Sequence, residues 1–196
     1  MNHYVALLRG INVGGHKKIL MKDLKTMLEK LGCKNIKTVL ASGNAVFESK
    51  KNVTQLKQNI EEGIESTFGF TVAIQVIDLD TIRNALSPDP FKDISPEKGV
   101  KHYVTFLKTA IQLSDLPKQD NVELIGIKNK LLFSVIDTNK AKTVDFMACL
   151  DKNFGKEVTT RTINTIKKII NGSTNKLFLV LQRVFQQSAD IDLQIP

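Results

Sequence analysis

The sequence predicts an α+β protein: two tandem ferredoxin-like (β-α-β-β-α-β) repeats with antiparallel sheets, followed by an extra C-terminal helix and an apolar tail. Two observations carry this. The first 78 residues alternate between strand and helix patterns in that order, and residues from His102 onward repeat their landmarks. The composition agrees with both, since 196 residues that are 42% hydrophobic and 24% charged suffice for a sizeable buried core.

The elements follow in chain order. His3 to Arg9 holds the short apolar run Val5-Ala6-Leu7-Leu8 and stops at Gly10, as a buried strand does. A loop, Gly10 to Lys18, leads into a helix over Met21–Leu31, where Leu20, Leu24, Met27, Leu28 and Leu31 share helical spacing and Gly32 marks the stop. Ile36 to Ala41 and Ala45 to Glu48 read as strands joined by the Ser42-Gly43-Asn44 turn. Leu56, Ile60, Ile64 and Phe68 mark a second helix ending at Gly69, and Thr71 to Ile77 a fourth strand. Asp78 caps a short helix over Leu79–Leu86, which begins a linker running to residue 100. The second, shorter repeat occupies residues 101–160. A helix over Thr160–Ile170, with Thr160 as N-cap, and the tail to residue 196 complete the chain.

The repeat rests on constant offsets. His3-Tyr4-Val5 recurs as His102-Tyr103-Val104, 99 residues on, while Ile36 with Val122, Phe47 with Phe133, Phe68-Gly69 with Phe154-Gly155 and Val72 with Val158 all stand 86 apart. The second copy is therefore 13 residues shorter between its first strand and its hairpin. The missing piece corresponds to the glycine loop and much of the first helix. A loop present in one copy only suggests a role that the fold does not require.

Several classes are excluded. No apolar run approaches the ~20 residues of a membrane helix. The N-terminus enters a strand pattern without the basic and small-residue features of a signal peptide. Cys33 and Cys149 stand alone, as expected of thiols in a reducing cytoplasm. The net charge of +8 favours anionic partners, yet each half contributes equally and no basic arm is present.

Three constellations are candidates for chemistry. Arg9, Gly10, Asn12, Gly14, Gly15, Lys17 and Lys18 form a cationic glycine loop ahead of a helix N-terminus, where backbone N–H groups and basic side chains can receive an anion. It has neither the Walker nor the dinucleotide spacing, and its glycines equally suit a loop that needs positive φ. Ser42, Gly43 and Asn44 form the second candidate. The first two strands of the plan run parallel, so this turn and the Arg9 loop lie at one end of the domain and can share a polar pocket. Arg161 and Asn164, read as one face of the last helix, form the third. His3 and His102 occupy matching strand starts and read as structural, and Asp145 and Asp151 have no evident partner. No metal-ligand spacing, nucleophile elbow or cofactor motif is present, so no cofactor or metal is expected.

Tyr4 to Gly15, reading YVALLRGINVGG, followed by Ser42-Gly43-Asn44, resembles the bacterial family catalogued as domain of unknown function 1697. The resemblance spans about Met1 to Gly172 and implies two ferredoxin-like halves. The family's C-terminal signature is similar to Thr-x-Arg-Asn-Trp-Asn-Thr. Here Arg161, Asn164 and Thr165 match it, while Thr162 and Ile163 depart. The family carries no established reaction. The expected function is a binding module for a phosphate-bearing ligand, a nucleotide or nucleic acid, at the glycine loop and the Ser-Gly-Asn turn. The alternatives are a small-molecule enzyme using the same pocket, with His16 or Ser42 reacting, and an interaction module dimerising through the tail.

Overall fold

A computed structural model describes residues 1–95, 97–116, 118–140, 146–155 and 158–173. Among these residues the fold is mixed α+β, with two four-stranded antiparallel sheets and five α-helices. The expected apolar tail lies outside the described residues.

The first half runs β1 (Asn2–Leu8), α1 (Met21–Lys30), β2 (Lys34–Val39), β3 (Asn44–Ser49), α2 (Val53–Phe68), β4 (Ile74–Asp78) and α3 (Leu79–Ala85). The second runs β5 (Val100–Phe106), a 3-10 turn at Leu113–Asp115, β6 (Val122–Lys128), β7 (Leu131–Asp137), α4 (Phe146–Phe154), β8 (Thr159–Thr162) and α5 (Ile163–Ser173). The sheets have the same order, β2-β3-β1-β4 and β6-β7-β5-β8. The 3-10 turn stands where the first half has α1, in line with the shorter spacing in the sequence.

Local chemistry explains the helices. In α2 the side chain of Asn52 accepts from the Gln55 amide at 2.9 Å while Gln55 accepts from the Asn52 amide at 3.1 Å, a reciprocal cap. Leu56, Ile60 and Ile64 are buried on one face, and Gly69 at φ 77° closes the last turn. In α3, Asp78 accepts from the Asp80 amide at 2.9 Å, the cap that the sequence predicts.

Strand alternation divides β1 between two cores. Tyr4, Ala6 and Leu8 face α1 and α2, with Phe47, Ile60 and Ile64. Val5 and Leu7 face the opposite way, into a layer shared by both halves with Ile82, Phe106, Phe133 and Ile166. The outer face of the second sheet packs a smaller group, Leu107, Leu132, Phe146, Leu150 and Val158, beneath α4. The layers are thus α1/α2, first sheet, shared core with α3 and α5, second sheet, α4.

Two expectations need correction. The residues from Thr160 do not start a helix: β8 extends to Thr162 and pairs with β5, so Arg161 is a strand residue opposite Val104. Consecutive β-branched threonines favour the pleated surface, and the Thr160 hydroxyl meets Thr105 across the strands at 2.9 Å instead of capping. Thr162 serves the start of α5, its hydroxyl lying 3.0 Å from that of Thr165.

The second correction is one of register. Tyr4 pairs with Phe47 in the first sheet, whereas Tyr103 pairs with Ser134 in the second, an offset of 87 along the returning strand instead of 86. Phe133 therefore faces the shared core and Phe47 the outer one. A one-residue slip moves a side chain across the sheet, so two phenylalanines that align in sequence occupy opposite faces.

Candidate functional site

The loop after β1 is a small closed structure. Ile11 and Ile19 are buried at its base, and between them the Asn12 side chain donates to the carbonyls of Ile19 at 3.0 Å and Ala41 at 2.7 Å and accepts from the Ile19 amide at 2.9 Å. The tip is a tight reversal in which Val13 bridges to His16, with Gly14 at φ 61° and Gly15 at φ 79°. Two successive positive φ values are what a primed hairpin turn requires, and both glycines lie in open space. Lys17 donates to the Thr71 carbonyl at 2.8 Å, and Gly10, His16 and Lys18 are exposed.

The Ser42-Gly43-Asn44 turn lies against this loop, at the same end of the first sheet. Leu8 donates its amide to the Gly43 carbonyl at 2.8 Å. Gly43, at φ 78°, has no room for a side chain: a Cβ would lie 2.6 Å from Ile11 Cδ1 and 2.9 Å from Leu8 Cβ. Asn44 is fully buried and its amide is fully engaged, donating to Val39 at 2.8 Å and Ser42 Oγ at 3.1 Å while accepting from Arg161 Nε at 2.7 Å.

Arg9 and Arg161 cross the seam between the halves in opposite directions. Arg9, at the end of β1, donates to the Val158 carbonyl at 2.7 Å and to the carboxylate of Asp151 on α4. Arg161, on β8, reaches back to Asn44 and to the Leu8 carbonyl, the latter at 2.6 Å. Burial, and to a lesser degree the neighbouring Arg9 cation, lowers the Arg161 guanidinium to about 10, so it remains charged at neutral pH. The two arginines line a cleft of about 190 Å3 with Asp151, Thr159 and Thr160.

Sequence reasoning named Arg9, Asn44 and Arg161 separately, and the fold brings them together. Asn164 is elsewhere, exposed on α5 and beside His102 and Tyr103 in a different cleft. His3 pairs with Glu48 at 3.2 Å, whereas His102 stacks on Phe91 with ring centroids 4.7 Å apart. Asp151, which showed no partner in the sequence, is the carboxylate on Arg9. A separation of 142 residues leaves no local trace of such a pair, and Leu8 and Val158 take part through carbonyls that any residue would supply.

No curated protein matches the chain. A solved structure, the conserved bacterial protein SP0830 from Streptococcus pneumoniae, is similar in fold. Its identity is 20% and its TM-score 0.65, over 87% of this chain and 98% of that one. The family model described as "Protein of unknown function (DUF1697)" matches residues 1–133, which include β1, the glycine loop and the Ser42 turn; Arg161 and Asn164 lie beyond it. With two thirds of its length matched, the chain belongs to the DUF1697 family.

Proposed function

We propose that the protein is a cytoplasmic binding module for a phosphate-bearing ligand, a nucleotide or nucleic acid, held at the seam where the Arg9–Lys18 loop, the Ser42 turn and β8 meet. We read its halves as tandem ferredoxin-like repeats derived from one duplicated unit. The observation that carries the binding reading is the pairing of two guanidinium groups along one cleft, close enough that Arg9 perturbs Arg161. Guanidinium forks suit phosphate oxygens, and Thr159 and Thr160 line the same cleft. The cleft accommodates a phosphoryl group, and the remainder of the ligand would lie outward along the exposed Lys17–Lys18 side of the loop.

Asp151 then acts as an internal competitor. Its side chain retains 38% exposure, so an incoming phosphate can displace it from Arg9. The test titrates wild type and Asp151→Asn with ATP and a single-stranded oligonucleotide at ~50 and ~200 mM salt. Asp151→Asn is expected to tighten binding about fivefold, and a polyanion is expected to lose affinity steeply with salt while a nucleotide loses less. Absence of binding by both ligands, or weaker binding by Asp151→Asn, overturns the proposal.

A further inference from the structure

A second cleft, of about 470 Å3, opens at the other end of the second sheet, between the segment leading into β5 and the start of β6. It is acidic on a protein whose net charge is +8. Asp120 and Glu123 enter from the β6 side, Asp137 from the end of β7, and Asp93 and Glu97 from the segment before β5. Lys140 is the basic residue among the lining, and it donates to the Asp120 carbonyl at 3.4 Å.

The register gives this cleft a defined wall. Glu123 pairs with Val135, and the backbone carbonyl of Asn121, immediately before β6, accepts from the Asp137 amide at 2.9 Å, so residues 121 and 123 share a face with residues 135 and 137 of β7. Val135 belongs to the shared core, so this is the margin of the layer between the halves. Asn121 lies on that wall, only 6% exposed, and its Oδ1 has no hydrogen-bond partner. A buried carbonyl oxygen without a donor is costly, and an N–H from a bound molecule relieves the cost.

We propose that this cleft binds an aliphatic polyamine, an organic cation with two or more ammonium groups joined by methylenes. Ammonium groups supply N–H donors to Asn121 Oδ1 and charge to the carboxylates, while Val100 and Ile94 line the cleft beside the methylene chain. The carboxylates are spread along the walls: among the described residues, no three His, Cys, Asp or Glu side chains are arranged to hold a metal ion. Spread carboxylates suit charges separated along a chain and not a single point charge.

The experiment titrates the full chain with spermidine at constant ionic strength, following backbone amide NMR signals, with NaCl and MgCl2 as parallel arms. Saturable shifts centred on residues 120–123 and 135–137 are expected with spermidine alone. Asp120→Asn with Glu123→Gln should weaken spermidine binding about tenfold, and Glu61→Gln with Glu62→Gln on the remote helix α2 should leave it unchanged. Unfolding midpoints of both double variants check that each remains folded, and if the cleft pair unfolds, Glu123→Gln alone replaces it with about threefold weakening expected. Three results overturn the proposal: equal shifts from NaCl, the same saturable response from Mg2+, or unaltered affinity in the folded cleft variant.

Discussion

The two halves share one strand order but differ in the cover over their outer faces. The first sheet lies beneath two helices and a large group of buried side chains, including Tyr4, Leu24, Leu28, Phe47, Ile60 and Ile64. The second lies beneath α4, with a short 3-10 turn where the first half has α1, and among the described residues its outer group is smaller. One plan can therefore be held together from two sides or chiefly from one. The second half relies on the shared layer, where Phe106, Phe133 and Ile166 meet Val5, Leu7 and Val46.

The largest effect expected from this difference is in the outer cores. Ile60→Ala should cost about 4 kcal/mol and Leu150→Ala about 2 kcal/mol, because a thin cover collapses around a cavity more readily than a helix pair does. Equal losses in a denaturant melt would show that the second cover is packed as firmly as the first.

Next come the hairpin turns. Gly43 and Lys130 hold equivalent places, their carbonyls accepting from Leu8 and Leu107 at 2.8 and 2.9 Å, and both have positive φ. The first has the loop that carries Ile11 packed over it. Gly43→Ala should cost about 3 kcal/mol, combining left-handed strain with the clash against Ile11, whereas Lys130→Gly should stabilise by up to about 1 kcal/mol. A mild Gly43→Ala would mean that Ile11 and its loop shift easily, and that the loop is less closed than its hydrogen bonds imply.

The smallest contrast is between the crossing arginines. Arg161→Ala leaves Asn44 Oδ1 and the Leu8 carbonyl without their donor in a buried site and should cost about 2 to 3 kcal/mol. Arg9→Ala removes a more exposed pair and should cost about 1 kcal/mol. Reversal of this order in chemical unfolding would make Arg9 the principal tie.

Much of this architecture was legible in the sequence. Helix spacing at Leu24-Met27-Leu28 and at Leu56-Ile60-Ile64 located α1 and α2, and Gly43 announced the first turn. The proximity of that turn to the Arg9 loop followed from strand direction alone. The register of the second hairpin was not legible, because apolar residues on both faces of a sandwiched sheet erase the alternation that fixes register. The β8–α5 boundary was obscured for a related reason: Thr159, Thr160 and Thr162 suit a strand or a helix cap equally well by type, and pairing with β5 decides between them. At the candidate site, Arg9 and Arg161 stood out as residues, but their crossing depends on contacts 117 or more residues apart along the chain.

The chemistry of that crossing bears on how the seam tolerates sequence drift. Two of its acceptors are main-chain carbonyls, those of Leu8 and Val158. Substitution at either position changes a side chain and leaves the carbonyl in place. The information for joining the halves is therefore concentrated in a few side chains, chiefly Arg9, Asn44, Asp151 and Arg161, while the strands that receive them are free to vary wherever packing allows. Two halves of differing sequence can stay fastened in this way, since a mutating gene cannot delete a peptide carbonyl without deleting the residue.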